Sequence, residues 1–178
     1  MARQVVLLRG INVGPRNRIA MPELRAALEE AGFEDVQTYL ASGNVVLTSR
    51  ARPESVARRV EQLIGERFGL QIPVVARTQA ELAGVVGRNP LREVAIDPKR
   101  YQVSFLSAEP TAEVVRGLES AAGPGERVVA IGREAYAWHP NGIGRSPLWA
   151  ALAGKGLGVT ATARNWATVE ALLALARD

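Results

Sequence analysis

Runs of apolar residues with a period of two, broken by runs with a period near 3.6, divide this chain into strands and helices. Gln4 to Leu8 is a short, mostly apolar run ending at Arg9-Gly10 and reads as a buried central strand. Pro22 to Ala31 is helical: Leu24, Ala27, Leu28 and Ala31 recur on one face, proline sits in the first turn and Gly32 supplies the stop. Val36 to Leu40 and Val45 to Thr48 are strand-like and flank Ala41-Ser42-Gly43-Asn44, whose small residues can turn the chain back as an antiparallel hairpin. Pro53 to Phe68 is a second helix closed by Gly69, and Ile72 to Ala76 a further strand. A third helix over Thr78 to Val86 opens with Thr78 and Glu81 at capping-box spacing and ends before Asn89-Pro90.

Leu91 to Lys99 mixes charge and proline without periodicity and reads as a linker. The pattern then restarts. Tyr101, Val103 and Phe105 alternate with polar residues, Pro110 opens a helix through Leu118, and Gly123-Pro124-Gly125 breaks it. Arg127 to Ile131 and Glu134 to Trp138 form a hairpin around Gly132-Arg133, and helices are expected over Pro147 to Leu152 and Asn165 to Arg177. The fold class is therefore α+β. A ferredoxin-like βαββαβ subdomain is expected over residues 1–97, and a smaller βαββαα subdomain over residues 98–178. The halves echo each other in element order, but no matching residue string stands out.

Composition narrows the functional classes. A chain of 178 residues can bury a core without staples, and it has no cysteine, which removes disulfide frameworks, thiolate metal sites and thiol catalysis. The apolar run near the N-terminus is too short for a signal-peptide core and no later stretch could span a bilayer, so a cytoplasmic protein without a membrane partner is expected. The net charge is +4, and all but two of the 22 basic residues are arginine, interleaved with acids along the helices as on solvated faces.

Four segments carry the candidate chemistry. Leu8-Arg9-Gly10-Ile11-Asn12-Val13-Gly14 leaves the C-terminal end of a buried strand, where Arg9, Asn12 and the amides beside Gly10 and Gly14 could face a ligand, or where the glycines only satisfy backbone geometry. It lacks the glycine spacing of a dinucleotide fingerprint. Ser42 and Asn44 sit at the hairpin tip, where turn chemistry alone would explain them. Gly142, Gly144, Arg145 and Ser146 precede a helix, so two glycines could form an anion nest with Arg145 as a planar fork, or Ser146 could simply cap that helix. Arg164 and Asn165 enter the last helix in the same style and could join Arg145 if the helix starts converge, while Trp166 reads as core. His139 is the lone histidine and reads as a strand-end residue, no serine sits in a nucleophile elbow, and no metal or cofactor site is expected.

Taken together, Leu8 to Gly14, Met21-Pro22-Glu23-Leu24-Arg25, Thr38-Tyr39, Ser42 to Val46, Gly142 to Ser146 and Ala163-Arg164-Asn165-Trp166 with Thr168-Val169 resemble the bacterial family called domain of unknown function 1697. The blocks run in order from the first strand to the last helix. The resemblance implies a two-part α+β fold and assigns no activity, cofactor or catalytic residue. It also implies that Gly10, Gly14, Pro22, Gly142 and Gly144 belong to recurring motifs. The chain departs from the family pattern where Pro15-Arg16-Asn17-Arg18 stands in place of a glycine and lysines, and where Pro147 replaces a lysine.

Three functions fit these residues. The first is binding of an anionic partner, a phosphorylated small molecule, nucleotide or nucleic acid, through Arg9, Asn12, Arg145, Arg164 and the glycine-loop amides. The second is a metal-independent enzyme on a small phosphorylated or carboxylated substrate, with a carboxylate or His139 moving protons. The third is an interaction module with no small ligand. Sequence-specific RNA reading is disfavoured, because the chain has nine aromatic residues and no aromatic ribonucleoprotein motif.

Overall fold

The computed structural model describes residues 1–153 and 155–178. Strand β1 (Ala2–Leu8) leads through a long loop to α1 (Met21–Glu30), followed by β2 (Glu34–Tyr39), β3 (Asn44–Ser49), α2 (Pro53–Phe68) and β4 (Val74–Thr78). The four strands form one antiparallel sheet in the order β2-β3-β1-β4, the ferredoxin-like arrangement expected for this half. After α3 (Gln79–Arg88) come β5 (Tyr101–Leu106), α4 (Ala112–Ala121), β6 (Arg127–Ile131), β7 (Glu134–Trp138), α5 (Pro147–Ala153), β8 (Ala161–Asn165) and α6 (Trp166–Arg177). Their sheet has the order β6-β7-β5-β8 and is also antiparallel throughout.

The second half therefore runs βαββαβ before its last helix, and the expected βαββαα pattern lacked β8. That strand reads Ala-Thr-Ala-Arg-Asn, with no large apolar residue to announce it, and its identity comes from pairing with β5 between Gln102↔Asn165 and Leu106↔Ala161. Its last residue, Asn165, accepts the amide of Thr168 at 2.9 Å and so caps α6, which is why the segment reads as a helix entry. With β8 in place, the two sheets share one strand order. Arg77 and Arg164 then occupy the same position, fourth in the fourth strand of each sheet, each followed by a capping residue and a helix.

Two compact units are formed, one by residues 1–84 with 171–178 and the other by residues 85–170. In the first, Val6 and Leu8 of β1 and Val45 and Leu47 of β3 face Leu24 and Leu28 of α1 and Val56, Val60 and Ile64 of α2. Full burial of each such aliphatic side chain contributes about 1.5–3 kcal/mol. In the second, Leu106, Ala135 and Ala137 pack with Leu118, Leu148 and Leu152. Trp166 is buried there, stacked on Tyr101 with ring centroids 4.8 Å apart. Helix α2 begins with Pro53 and ends at Gly69 with φ +66, the left-handed stop that its sequence predicts.

The junction of β4 and α3 is a complete capping box. Glu81 accepts the Thr78 amide at 2.8 Å, and Thr78 Oγ1 accepts the Glu81 amide at 3.1 Å. Thr78→Ala is expected to lower stability by about 1 kcal/mol in urea denaturation, with an unchanged dependence on denaturant.

Candidate functional site

The β1–α1 loop is shaped by its own asparagines. Asn12 adopts φ +55, its amide nitrogen donates to the carbonyls of Ile19 (2.8 Å) and Ala41 (2.6 Å), and its side-chain oxygen accepts the Ile19 amide at 3.0 Å. The Asn12 backbone N–H donates to Asn17 C=O at 3.0 Å, closing the loop on itself. Asn12 is thus a clamp, and its side chain is committed to backbone groups of the loop and of the β2–β3 turn. Ile11 beside it is fully buried.

The hairpin tip meets this loop at close quarters. Leu8 N–H donates to Gly43 C=O at 2.8 Å, and a Cβ on Gly43 would lie 2.8 Å from Leu8 Cβ and 2.9 Å from Ile11 Cδ1, so only glycine fits. Asn44 is fully buried and donates to Tyr39 C=O at 2.9 Å and to Ser42 Oγ at 3.0 Å, and Ser42 as a residue is exposed. Arg9, Gly10, Asn12, Gly14, Ser42 and Asn44 therefore form one loop cluster at the end of the first sheet.

From that clamped base, residues 13–18 are all exposed. They carry Arg16 and Arg18, with Gly14 at positive φ bending the chain before the first and Asn17 at positive φ between the two. The first 22 residues hold Arg3, Arg9, Arg16 and Arg18 and no acidic residue. Apolar carbon is exposed beside them: Val13 is 75% and Leu40 57% accessible, and the Asn12–Ala41 bond joins their neighbours. Leu40 has φ +58, a conformation that costs a non-glycine residue about 1–2 kcal/mol and that concentrates at functional surfaces.

The glycine loop before α5 is organised differently. Gly142 N–H donates to His139 C=O at 2.9 Å and Ser146 N–H to Ile143 C=O at 3.2 Å, so these amides are spent inside the loop. Ser146 Oγ accepts the Trp149 amide at 3.0 Å and caps α5, and Arg145 is exposed. Arg164 is buried in β8, where it donates to Thr162 Oγ1 at 2.7 Å and Ala163 C=O at 2.8 Å. Burial lowers its guanidinium to about 10, which still leaves it a cation at neutral pH. Gly142, Gly144, Arg145, Ser146, Arg164 and Asn165 belong to the second unit, and the Arg9 cluster to the first.

Around Ser146 lies a largely buried cluster that residue spacing does not reveal. His139 is fully buried, and its Nδ1 sits 2.6 Å from Glu126 Oε2, which also accepts the Ser146 hydroxyl at 2.6 Å. Since an ionised carboxylate only accepts, His139 donates from Nδ1. Its Nε2 is buried without a hydrogen-bond partner, and the ring meets Trp149 edge-on. Serine, imidazole and carboxylate are together here, but the ring does not bridge acid and hydroxyl as a hydrolytic relay requires. Glu126 was legible in principle: a two-residue turn at Gly132-Arg133 pairs Arg127 with Trp138, which sets 126 opposite 139. Burial alone would raise the Glu126 carboxyl, yet hydrogen bonds from Ser146, the Gly123 amide and His139 hold it below the ordinary value.

Among the described residues no group of three histidine, cysteine or acidic side chains could hold a metal, and no helix is long and apolar enough to cross a membrane. The model of the family described as Protein of unknown function (DUF1697) matches residues 1–136. No curated protein matches the chain. Among solved structures, the conserved bacterial protein SP0830 from Streptococcus pneumoniae is similar over 98% of both chains, with a TM-score of 0.79 and 21% identity, which establishes likeness of fold.

Two outcomes follow from this geometry. Asn12→Ala is expected to lower stability by about 2 kcal/mol in urea denaturation, and Asn12→Gly by about 1 kcal/mol less, because glycine tolerates the positive φ that alanine does not. For Glu126, ionised in the fold more readily than in the unfolded chain, the stabilisation is complete above the ordinary value of 4.5 and is lost as pH falls through the lowered folded value. Melting temperatures across the acid range should therefore fall more steeply for the wild type than for Glu126→Gln; parallel curves would contradict this.

Proposed function

We propose, for a chain that belongs to the family described as Protein of unknown function (DUF1697), that the first unit binds a phosphate-bearing anion through the loop of residues 9–18. The observation that carries this reading is the Asn12 clamp, which holds an acid-free, arginine-bearing loop, exposed from residue 13 to residue 18, in one shape against the hairpin tip. A preformed loop loses little conformational entropy when it binds. Arginine guanidinium groups suit phosphate oxygens through paired, charge-assisted hydrogen bonds.

A nucleic-acid backbone fits this surface better than an enclosed small molecule. Arg16 and Arg18 lie in the exposed run of residues 13–18, where they can track successive phosphates, and Val13 and Leu40 offer apolar contact for sugars or base faces. Such binding is independent of base sequence. The second unit's glycine loop is left out of this site, because its amides at Gly142 and Ser146 are already bonded.

Fluorescence anisotropy with a labelled single-stranded oligonucleotide, repeated over a range of salt concentrations, tests the reading. The Arg16→Ala/Arg18→Ala double variant should bind about tenfold more weakly, and its logarithmic salt slope should be shallower by about 1.4, for two lost single-strand phosphate contacts. Absence of binding by the wild type, or equal slopes for wild type and variant, would refute it.

A further inference from the structure

The segment whose sequence reads as a featureless linker forms one wall of a cavity in the second unit. The cavity has a volume of about 550 Å³ and is lined by residues 87–94 together with Arg127 of β6. That volume falls in the range of about 300–1,000 Å³ typical of small-molecule sites. Three arginines, Arg88, Arg92 and Arg127, reach its lining from two distant parts of the chain, against a single acid, Glu93. Simple solvation of a helix face does not bring them together, because Arg127 lies on a strand and Arg92 in a loop.

The wall is built rather than slack. Arg92 N–H donates to Asn89 C=O, and the amides of Val94 and Ala95 both donate to Leu91 C=O at 3.0 and 2.8 Å. Asn89, at φ +26, accepts the hydroxyl of the buried Tyr101 at 3.0 Å, which pins the loop to the central strand of the sheet. Two of the guanidinium groups are also positioned. Arg88 bonds the buried carboxylate of Glu134 at 2.8 Å, and Arg127 donates to the Glu126 carbonyl at 3.0 Å. Arg88 is balanced by Glu134, so Arg92 and Arg127 are the cations presented to an occupant, while Leu91 and Val94 supply apolar lining.

We infer that this cavity is a second binding site, separate from the arginine loop of the first unit, and that it takes a small phosphorylated molecule. The phosphate is held between Arg92 and Arg127, and the remainder of the ligand rests on Leu91 and Val94. Planar guanidinium forks on two sides of a phosphate give directional, charge-assisted bonds that a single surface arginine cannot supply.

Isothermal titration with inorganic pyrophosphate tests this on the intact chain. The wild type should bind it, the Arg92→Ala/Arg127→Ala variant should bind at least tenfold more weakly, and an Arg58→Ala/Arg116→Ala variant should match the wild type. Arg58 and Arg116 are exposed helical residues outside the cavity, so this pair removes the same charge elsewhere. Failure of the wild type to bind millimolar pyrophosphate, or equal weakening in both double variants, would overturn the inference. Circular dichroism of each variant secures the comparison, since all four positions are exposed and their loss should leave the fold intact.

Discussion

The bond from Leu8 N–H to Gly43 C=O, at the end of the β1–β3 register, is the constraint on which the arrangement of the first unit depends. β1 is central and bonded on both sides, so its exit point is fixed to within one residue, and a slip by one would turn Val6 and Leu8 out of the core. With Leu7 opposite Asn44, the chain leaving β1 has to emerge beside the β2–β3 turn. Gly43 permits the close approach, Ile11 fills the space beneath it, and Asn12 then ties loop to turn. The exposed arginines are a consequence of that base, because residues 13–18 can leave the core only once residues 11 and 12 are anchored.

The second unit repeats the same strand order with different chemistry at its ends. There the corresponding central strand, β5, is bonded to β7 and β8, and the polar groups are drawn into a cluster of buried Glu126 and His139 with half-buried Ser146 that fixes the start of α5. Buried carboxylate, imidazole and hydroxyl groups stabilise when each finds a partner, and here three elements are tied through one carboxylate oxygen. The asymmetry between the units is informative: one end exposes arginines on a rigid loop, whereas the other consumes its loop amides internally.

Much of this fold was legible in the sequence where local signals and tertiary demands agree. Helix α2 combined a proline start, a regular apolar stripe and a glycine stop, and its ends fall at Pro53 and Phe68 as expected. The β6–β7 hairpin was equally clear because Gly132-Arg133 sets its register. Strand β8 was not legible, since alanine and threonine alternate there without bulk and Asn165 looks like what it also is, a helix cap. Of the candidate residues, the proximity of the first loop to Ser42 and Asn44 depended on sheet order, which pattern alone does not give. The role of Asn12 was hidden for the same reason: a side-chain amide reads alike whether it meets a ligand or two backbone carbonyls. Glu126 went unread although the hairpin register sets it opposite His139, and the cavity was hidden because Arg127 lies far along the chain from Arg88 and Arg92.

Whether the clamped loop is a binding surface is tested most directly by backbone amide chemical shifts during titration with a short single-stranded oligonucleotide. Shifts confined to residues 9–18 and 40–44, moving together with one saturation curve, are the predicted result. No shifts, or shifts spread over the helices while this loop stays still, would contradict it.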